Sequence, residues 1–89
     1  MANILITYEN TISVNNNTLV NADKVIKALR DNNHNVIIKY DNEPVEVTLD
    51  LIIDRLSLGC PLIWNHTILQ YVPNWKDIEF LLRKRGFLT

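Results

Sequence analysis

The chain has 89 residues, 47% of them hydrophobic, which is enough for one small core in a single domain spanning residues 1–89. The net charge is −1 and the only dense cationic run is at residues 83–85, which excludes the broad basic face of nonspecific nucleic-acid binders. One cysteine, Cys60, excludes an internal disulfide, and the N-terminal apolar run is too short for a signal peptide or a membrane span. We therefore expect a cytoplasmic protein with no nucleic-acid or membrane partner.

The first half of the chain alternates aliphatic and polar segments. Residues Ile4–Ile6 predict a short buried strand, and the asparagine-rich segment Asn10–Asn17 predicts a polar turn after it. Asn21 stands where a helix N-cap is expected, because apolar residues recur behind it at helical spacing. Asn32–Asn33 should end that helix, since asparagine tolerates left-handed geometry, and Val36–Ile38 predicts the second buried strand.

The second half contains one clear strand and one well-marked helix. Leu51–Ile53 predicts a third buried strand, and the irregular apolar segment Leu62–Val72 has room for one more short strand. Asn74 is expected to cap the last helix and Gly86 to end it. Aliphatic strands separated by helices predict a three-layer α/β domain. Its small, mostly parallel sheet would have the three aliphatic strands at its centre and helices on its faces.

Three blocks of sequence carry a resemblance to a known family. They are the strand and turn ILITYENT at 4–11, the segment DNNHNVIIKYDN at 31–42, and DLIIDRLSLGCPL at 50–62 with YVPNWKDIEFLLRKRGFL at 71–88. In this order they resemble a small phage- or bacterial-type hydrolase of the haloacid dehalogenase (HAD) superfamily. The resemblance covers most of the chain and implies a reduced, Rossmann-like HAD domain.

The first block departs from the family at its reactive carboxylate. The family's first motif is DxDxT, in which the first aspartate is the nucleophile and the second is the general acid/base. In this chain those positions fall on Thr7 and Glu9, and the motif threonine falls on Thr11. The resemblance therefore implies a phosphotransfer site whose nucleophile has been replaced by an alcohol.

The later blocks depart from the family as well. The hydroxyl residue of the second motif corresponds to Tyr40, and the acidic pair that binds magnesium corresponds to Asp54 followed by Arg55. The short segment between the second and third strands has no room for a full crossover, and the family's phosphate-binding lysine has no clear counterpart there. The chain resembles a shortened, degenerate member of the family.

These replacements predict that the protein is not an enzyme. A neutral alcohol at Thr7 brings no charge to a metal, and Arg55 places a permanent cation beside the metal position. We expect no catalytic residue, no metal and no cofactor. Two alternatives stay open: weak magnesium binding at Glu9 and Asp54, or a salt-bridged cluster of these two carboxylates with Arg55.

The remaining reactive side chains favour structural roles. His34 and His66 are far apart and show no metal-ligand spacing, and Cys60 precedes a proline with no evident base. Aromatic residues crowd the segment before the last helix, and they predict either a cover for the core or a patch that binds a protein partner or a second copy: Trp64, Tyr71 and Trp75.

Three functions follow from this reading. The first is an inactive HAD-like interaction protein, a small phage or mobile-element regulator or inhibitor of a host protein in the host cytoplasm. The second is a protein that sequesters a phosphorylated small molecule or nucleotide, since α/β sheets bind ligands at the carboxyl ends of their strands. The third is a minimal magnesium-dependent phosphohydrolase that uses Glu9 and Asp54. We expect the first.

Overall fold

A computed structural model describes residues 2–40, 46–54, 60–64, 67–72 and 74–89, with the backbone alone described at 60–64 and 67–72. The elements in chain order are the strands and helices β1 (Asn3–Thr7), β2 (Ser13–Val14), β3 (Asn17–Thr18), α1 (Ala22–Asp31), β4 (Asn35–Lys39), β5 (Leu51–Ile53), β6 (Cys60–Trp64), β7 (Thr67–Val72) and α2 (Trp75–Lys84). No helix in these described ranges is long and apolar enough to cross a membrane.

Within the described ranges, the main sheet has five strands in the order β4-β1-β5-β6-β7. Strands β4, β1 and β5 are parallel, and β6 and β7 extend the sheet in antiparallel fashion from β5. The prediction of an α/β domain built on three parallel aliphatic strands is confirmed. The prediction that all three are central is wrong for β4, which forms an edge of the sheet that the described residues build.

The core lies on one face of this sheet. Parallel pairing sets Ile4 beside Val36 and Leu51, so alternate residues of the three strands point to the same side. Both helices pack there and bury their apolar stripes against these strands. The largest fully buried apolar side chains of this core are Ile4, Ile6, Val25, Leu29, Leu51, Ile53, Trp75, Ile78 and Leu82.

The two described helices share one layer, because α1 and α2 contact each other and bury their apolar faces in the same core. The predicted three-layer arrangement is therefore wrong for the described residues, which form two layers. The opposite face of the sheet carries Leu5, Ile37 and Ile52, which are side by side in register. Leu5 is buried and its two neighbours are half-buried. The sequence predicted helices on both faces of the sheet because the strands carry aliphatic residues on both faces.

Asparagine shapes the turns around α1. Asn21 occupies the N-cap position with φ of +71° and makes no side-chain capping bond, so its predicted capping role is wrong. At the other end, Asn32 is the C-cap residue and Asn33 has φ of +65°, which confirms where the helix ends. Left-handed φ also occurs at Asn10, Asn15 and Asn16. Asparagine thus takes the positions that glycine usually fills.

Helix α2 has the termini that its sequence predicts. The Asn74 side chain accepts a hydrogen bond of 2.9 Å from the backbone N–H of Asp77, which satisfies one of the unpaired donors of the first turn. Arg83 and Lys84 complement the negative end of the helix dipole. Gly86 follows with φ of +86°, the left-handed geometry that ends a helix.

Both helices begin at the carboxyl edge of the parallel strands and end at the amino edge. At the start of α2, the Trp75 indole N–H donates to the carbonyl of Thr11. At the other edge, His34 accepts at Nδ1 from the Ala2 N–H at 3.1 Å and contacts the Phe87 carbonyl through Nε2 at 2.8 Å. His34 therefore connects Ala2 and Phe87 at the end of α1.

The sequence indicated room for one more short strand in Leu62–Val72, and the structure has two strands in this region, β6 and β7. They pair antiparallel, with an irregularity in the register between Leu62 and Ile63. Pro61 lies within β6, and proline in a strand usually argues against the assignment. The segment is nevertheless a strand, because β6 pairs with β5 along the sheet.

Candidate functional site

The carboxyl ends of β1 and β5 bring together residues that are 47 positions apart. Because Ile6 and Ile53 are paired in register, the next residues in the chain, Thr7 and Asp54, emerge at the same edge of the sheet. The Thr7 hydroxyl donates a hydrogen bond of 2.6 Å to Oδ1 of Asp54. This contact joins the position that resembles the family's nucleophile to the one that resembles its acidic pair.

A second hydroxyl extends this contact into the protein. Oγ1 of Thr11 lies 2.6 Å from Oγ1 of Thr7. A hydroxyl has one proton, and that of Thr7 is directed to Asp54, so Thr11 is the donor to Thr7. Thr11 is fully buried, whereas Thr7 and Asp54 are half-buried. We call Thr11, Thr7 and Asp54, which form a directed chain from the core to the strand ends, the hydroxyl–carboxylate chain.

The turn after β1 positions Thr11. The carbonyl of Tyr8 accepts backbone N–H bonds of 3.0 Å from both Ile12 and Ser13. Asn10 has φ of +63°, and its N–H donates to the Ser13 carbonyl at 2.9 Å. This tight turn folds the chain back so that Thr11 lies within hydrogen-bonding distance of the strand end it follows.

Trp75 fixes the same turn from the opposite side. Its indole N–H donates to the Thr11 carbonyl at 2.8 Å, and the side chain is only 1% exposed. The prediction that Trp75 belongs to a partner-binding patch is therefore wrong, because the first residue of α2 faces the core with Ile78 and Leu82. The side chains of Trp64 and Tyr71, the other predicted members, lie outside the described residues.

The other predicted site residues are more exposed. Glu9 lies on the exposed part of the turn. Tyr40 is 67% exposed, and its ring is tilted by 34° against that of Tyr8, with centroids 4.9 Å apart. Arg55 lies outside the described residues, so the predicted cluster of Arg55 with Asp54 and Glu9 stays a prediction.

The chemistry of this arrangement favours hydrogen bonding over nucleophilic attack. A threonine hydroxyl becomes a nucleophile when a base removes its proton, and a carboxylate is a weak base for an alcohol near neutral pH. Thr7 also accepts from Thr11 and donates to Asp54, so its hydroxyl is engaged on both sides. The three residues form a directed structural link between the turn and β5.

In the parts of the chain that the structure describes, no set of three His, Cys, Asp or Glu side chains is placed so that it could hold a metal ion. Magnesium at Glu9 and Asp54 stays a prediction.

Both ring nitrogens of His34 are engaged by backbone groups, an anchoring role that its spacing in the sequence did not indicate. His66 and the side chain of Cys60 lie outside the described residues.

Searches of protein-family models, curated protein sequences and solved structures gave no match to this chain.

Proposed function

We propose that this protein is a catalytically inactive HAD-like interaction protein, a small phage or mobile-element regulator or inhibitor that acts on a host protein in the cytoplasm. The observation that carries the proposal is the position of the Thr7 hydroxyl, held between Thr11 and Asp54 at the strand ends. The HAD-like part rests on the resemblance of the three sequence blocks.

The family's reaction needs a carboxylate at the end of the first strand to attack phosphorus and to share a magnesium ion with the acidic pair. Threonine supplies neither the negative charge nor a second oxygen ligand. Asp54, which corresponds to the first residue of the acidic pair, accepts the Thr7 hydroxyl. A strand end arranged in this way supports a structural role for positions that would otherwise carry the chemistry.

We expect no hydrolysis of p-nitrophenyl phosphate above background in magnesium at neutral pH, because the position of the nucleophile holds Thr7 in internal hydrogen bonds. The measurement is steady-state release of p-nitrophenol, with Glu9→Gln and Asp54→Asn measured in parallel. Turnover that either substitution abolishes would show a working active site and would refute the proposal of an inactive protein.

Exposed aromatic surface supports the interaction role. Tyr40 presents a ring that is 67% exposed beside Tyr8, close to the strand ends. Tyrosine is favoured as an interface anchor because it buries a large area with few rotatable bonds. Trp64 and Tyr71 remain predicted partner-binding residues, and Tyr40 joins them as a candidate.

Association is the second expected property. We expect Tyr40→Ser and Trp64→Ala each to weaken a specific protein contact by about tenfold or more, the typical loss when an interface anchor is truncated. Sedimentation equilibrium measures self-association, and quantitative crosslinking in extracts of the host measures association with a larger protein. Val47→Ser, which truncates an exposed aliphatic side chain that is not among the predicted partner-binding residues, is the control. The interaction role is refuted if both substitutions leave every contact at its wild-type strength.

Sequestration of a phosphorylated ligand is the second candidate. Both helices begin at the edge where Thr7 and Asp54 lie, and helix N-termini favour anions. The carboxylates of Asp54 and Glu9 at this edge oppose an anionic ligand, which makes this candidate the weaker one. Release of a phosphorylated compound from freshly purified, heat-denatured protein, in a stoichiometric amount, would favour it over the interaction role.

A further inference from the structure

A groove lies between the two helices, on the side of the helical layer away from the sheet. Its cavity volume is about 390 Å³, near the lower end of the ~300–1,000 Å³ range of ligand clefts. Helix α1 and its N-cap contribute two lining residues and α2 contributes four: Asn21, Lys24, Lys76, Glu79, Phe80 and Arg83. None of them belongs to the hydroxyl–carboxylate chain.

The groove is cationic in a chain that is slightly acidic as a whole. Three of its six lining side chains are positively charged and one is negatively charged, whereas the net charge of the whole chain is −1. Such a local excess attracts acidic groups, and it does so most strongly at low ionic strength.

The single carboxylate of the groove is already engaged. Glu79 has a side chain that is 19% exposed, and it bonds Arg83 at 3.1 Å and lies 3.9 Å from the Lys24 ammonium. Lys76 has no ion pair with any residue that the structure describes. Glu79 can offset the charge of only one of its two cationic partners. The groove therefore keeps positive charge at Lys76 and at Lys24, which is the more distant partner of Glu79 and has a side chain that is 70% exposed.

Apolar surface lies among these charges. Phe80 is 67% exposed, because it falls outside the buried stripe of Trp75, Ile78 and Leu82 on α2. It is four residues after Lys76 and three before Arg83, spacings that put neighbouring side chains on one helix surface. The groove thus offers an aromatic surface between cations.

We propose that this groove binds an acidic peptide segment that carries one aromatic or aliphatic side chain. Carboxylates of the segment pair with Lys24 and Lys76, and its apolar side chain packs on Phe80. This site goes beyond the proposed function, which rests on the strand ends. A nucleic acid fits the groove less well, because a phosphate backbone needs a longer cationic track than three side chains provide.

Fluorescence anisotropy tests the proposal with a labelled seven-residue peptide that has one phenylalanine among glutamates. We expect saturable binding that weakens about tenfold or more between 50 and 500 mM salt. The double substitution Lys24→Glu with Lys76→Glu should raise Kd about tenfold or more, because attraction becomes repulsion. Phe80→Ser should raise Kd about threefold to tenfold.

Matched controls separate the groove from general charge effects. The double substitution Lys27→Glu with Lys84→Glu makes the same change in charge at exposed positions of α1 and α2 outside the groove, and Val47→Ser removes a different exposed apolar side chain. Both should leave Kd within about twofold of the wild-type value. Circular dichroism checks that each variant is folded, which we expect because every substituted side chain is exposed.

Five results would overturn the proposal. The first four are no binding of the acidic peptide, equal binding of a peptide with lysines in place of the glutamates, tighter binding of a single-stranded oligonucleotide, and a Kd that neither the Lys24/Lys76 double substitution nor Phe80→Ser changes. A dimer in sedimentation that Phe80→Ser dissociates would assign the groove to a second copy of the chain and would also overturn it.

Discussion

Replacing Trp75 with alanine is expected to lower the free energy of unfolding by about 3–5 kcal/mol, the usual cost of emptying a buried aromatic site. The indole is 1% exposed and its N–H bonds the Thr11 carbonyl, so the substitution removes core volume and leaves a buried carbonyl without this donor. Small domains have a total stability of about 5–15 kcal/mol, so the variant should be close to unfolding. Urea denaturation followed by far-ultraviolet circular dichroism measures the loss.

Two further variants separate the contributions to this loss. Trp75→Phe keeps a buried ring but lacks the indole N–H, so it should lose less stability than Trp75→Ala. Phe80→Ala removes an aromatic ring from the same helix at a site that is 67% exposed, and it should change stability by less than about 0.5 kcal/mol. If Trp75→Ala were as mild as Phe80→Ala, the indole would not be part of the core in solution.

Thr7→Asp is expected to destabilise the protein by about 2–4 kcal/mol at neutral pH, because it places a second carboxylate where the Thr7 hydroxyl now donates to Asp54 at 2.6 Å. Millimolar magnesium should recover part of this loss by binding between the two carboxylates, and it should not stabilise the wild-type protein to the same extent. Thermal unfolding in magnesium and in EDTA measures both effects. We expect no phosphatase activity from the variant, since Arg55 would still occupy the position proposed for the metal and the segment before β5 would still lack the proposed phosphate-binding lysine.

The partner substitution tests whether repulsion is the cause. Combining Thr7→Asp with Asp54→Asn removes one of the two charges and should restore most of the lost stability, a coupling that a double-mutant cycle quantifies. Thr7→Val, which removes the hydroxyl without adding charge, should cost about 1–3 kcal/mol because Asp54 loses its donor. Equal stability of Thr7→Asp and the wild type would show that Thr7 and Asp54 are not in contact.

The sequence predicted the parts of this fold that local chemistry determines. Ile4–Ile6, Val36–Ile38 and Leu51–Ile53 form strands because they are aliphatic and partly β-branched, and Asn74 caps α2 because its side chain reaches the N–H of Asp77. The register of the parallel strands also places Thr7 beside Asp54, and Thr11 bonds to Thr7.

The sequence did not determine how elements that are distant in the chain pack against one another. Whether α2 packs beside α1 or on the opposite face depends on how β6 and β7 extend the sheet, and neither strand shows a clear period in its sequence. Trp75 could be assigned to the core stripe of α2 or to an exposed patch, and only tertiary packing decides between them. The dual role of His34 depends on Ala2 and Phe87, which are remote from it in the chain.

The contacts that close the core have a kinetic consequence. Trp75 reaches Thr11 across 64 positions, His34 reaches Phe87 across 53, and β1 pairs with β5 across 47. Contacts so distant in sequence must form against a large loss of chain entropy, which slows folding relative to helical bundles of similar size. During synthesis, the turn at Thr11 gains its hydrogen bond from Trp75 only after α2 has left the ribosome. We therefore expect this domain to complete its folding late in synthesis and in one cooperative step.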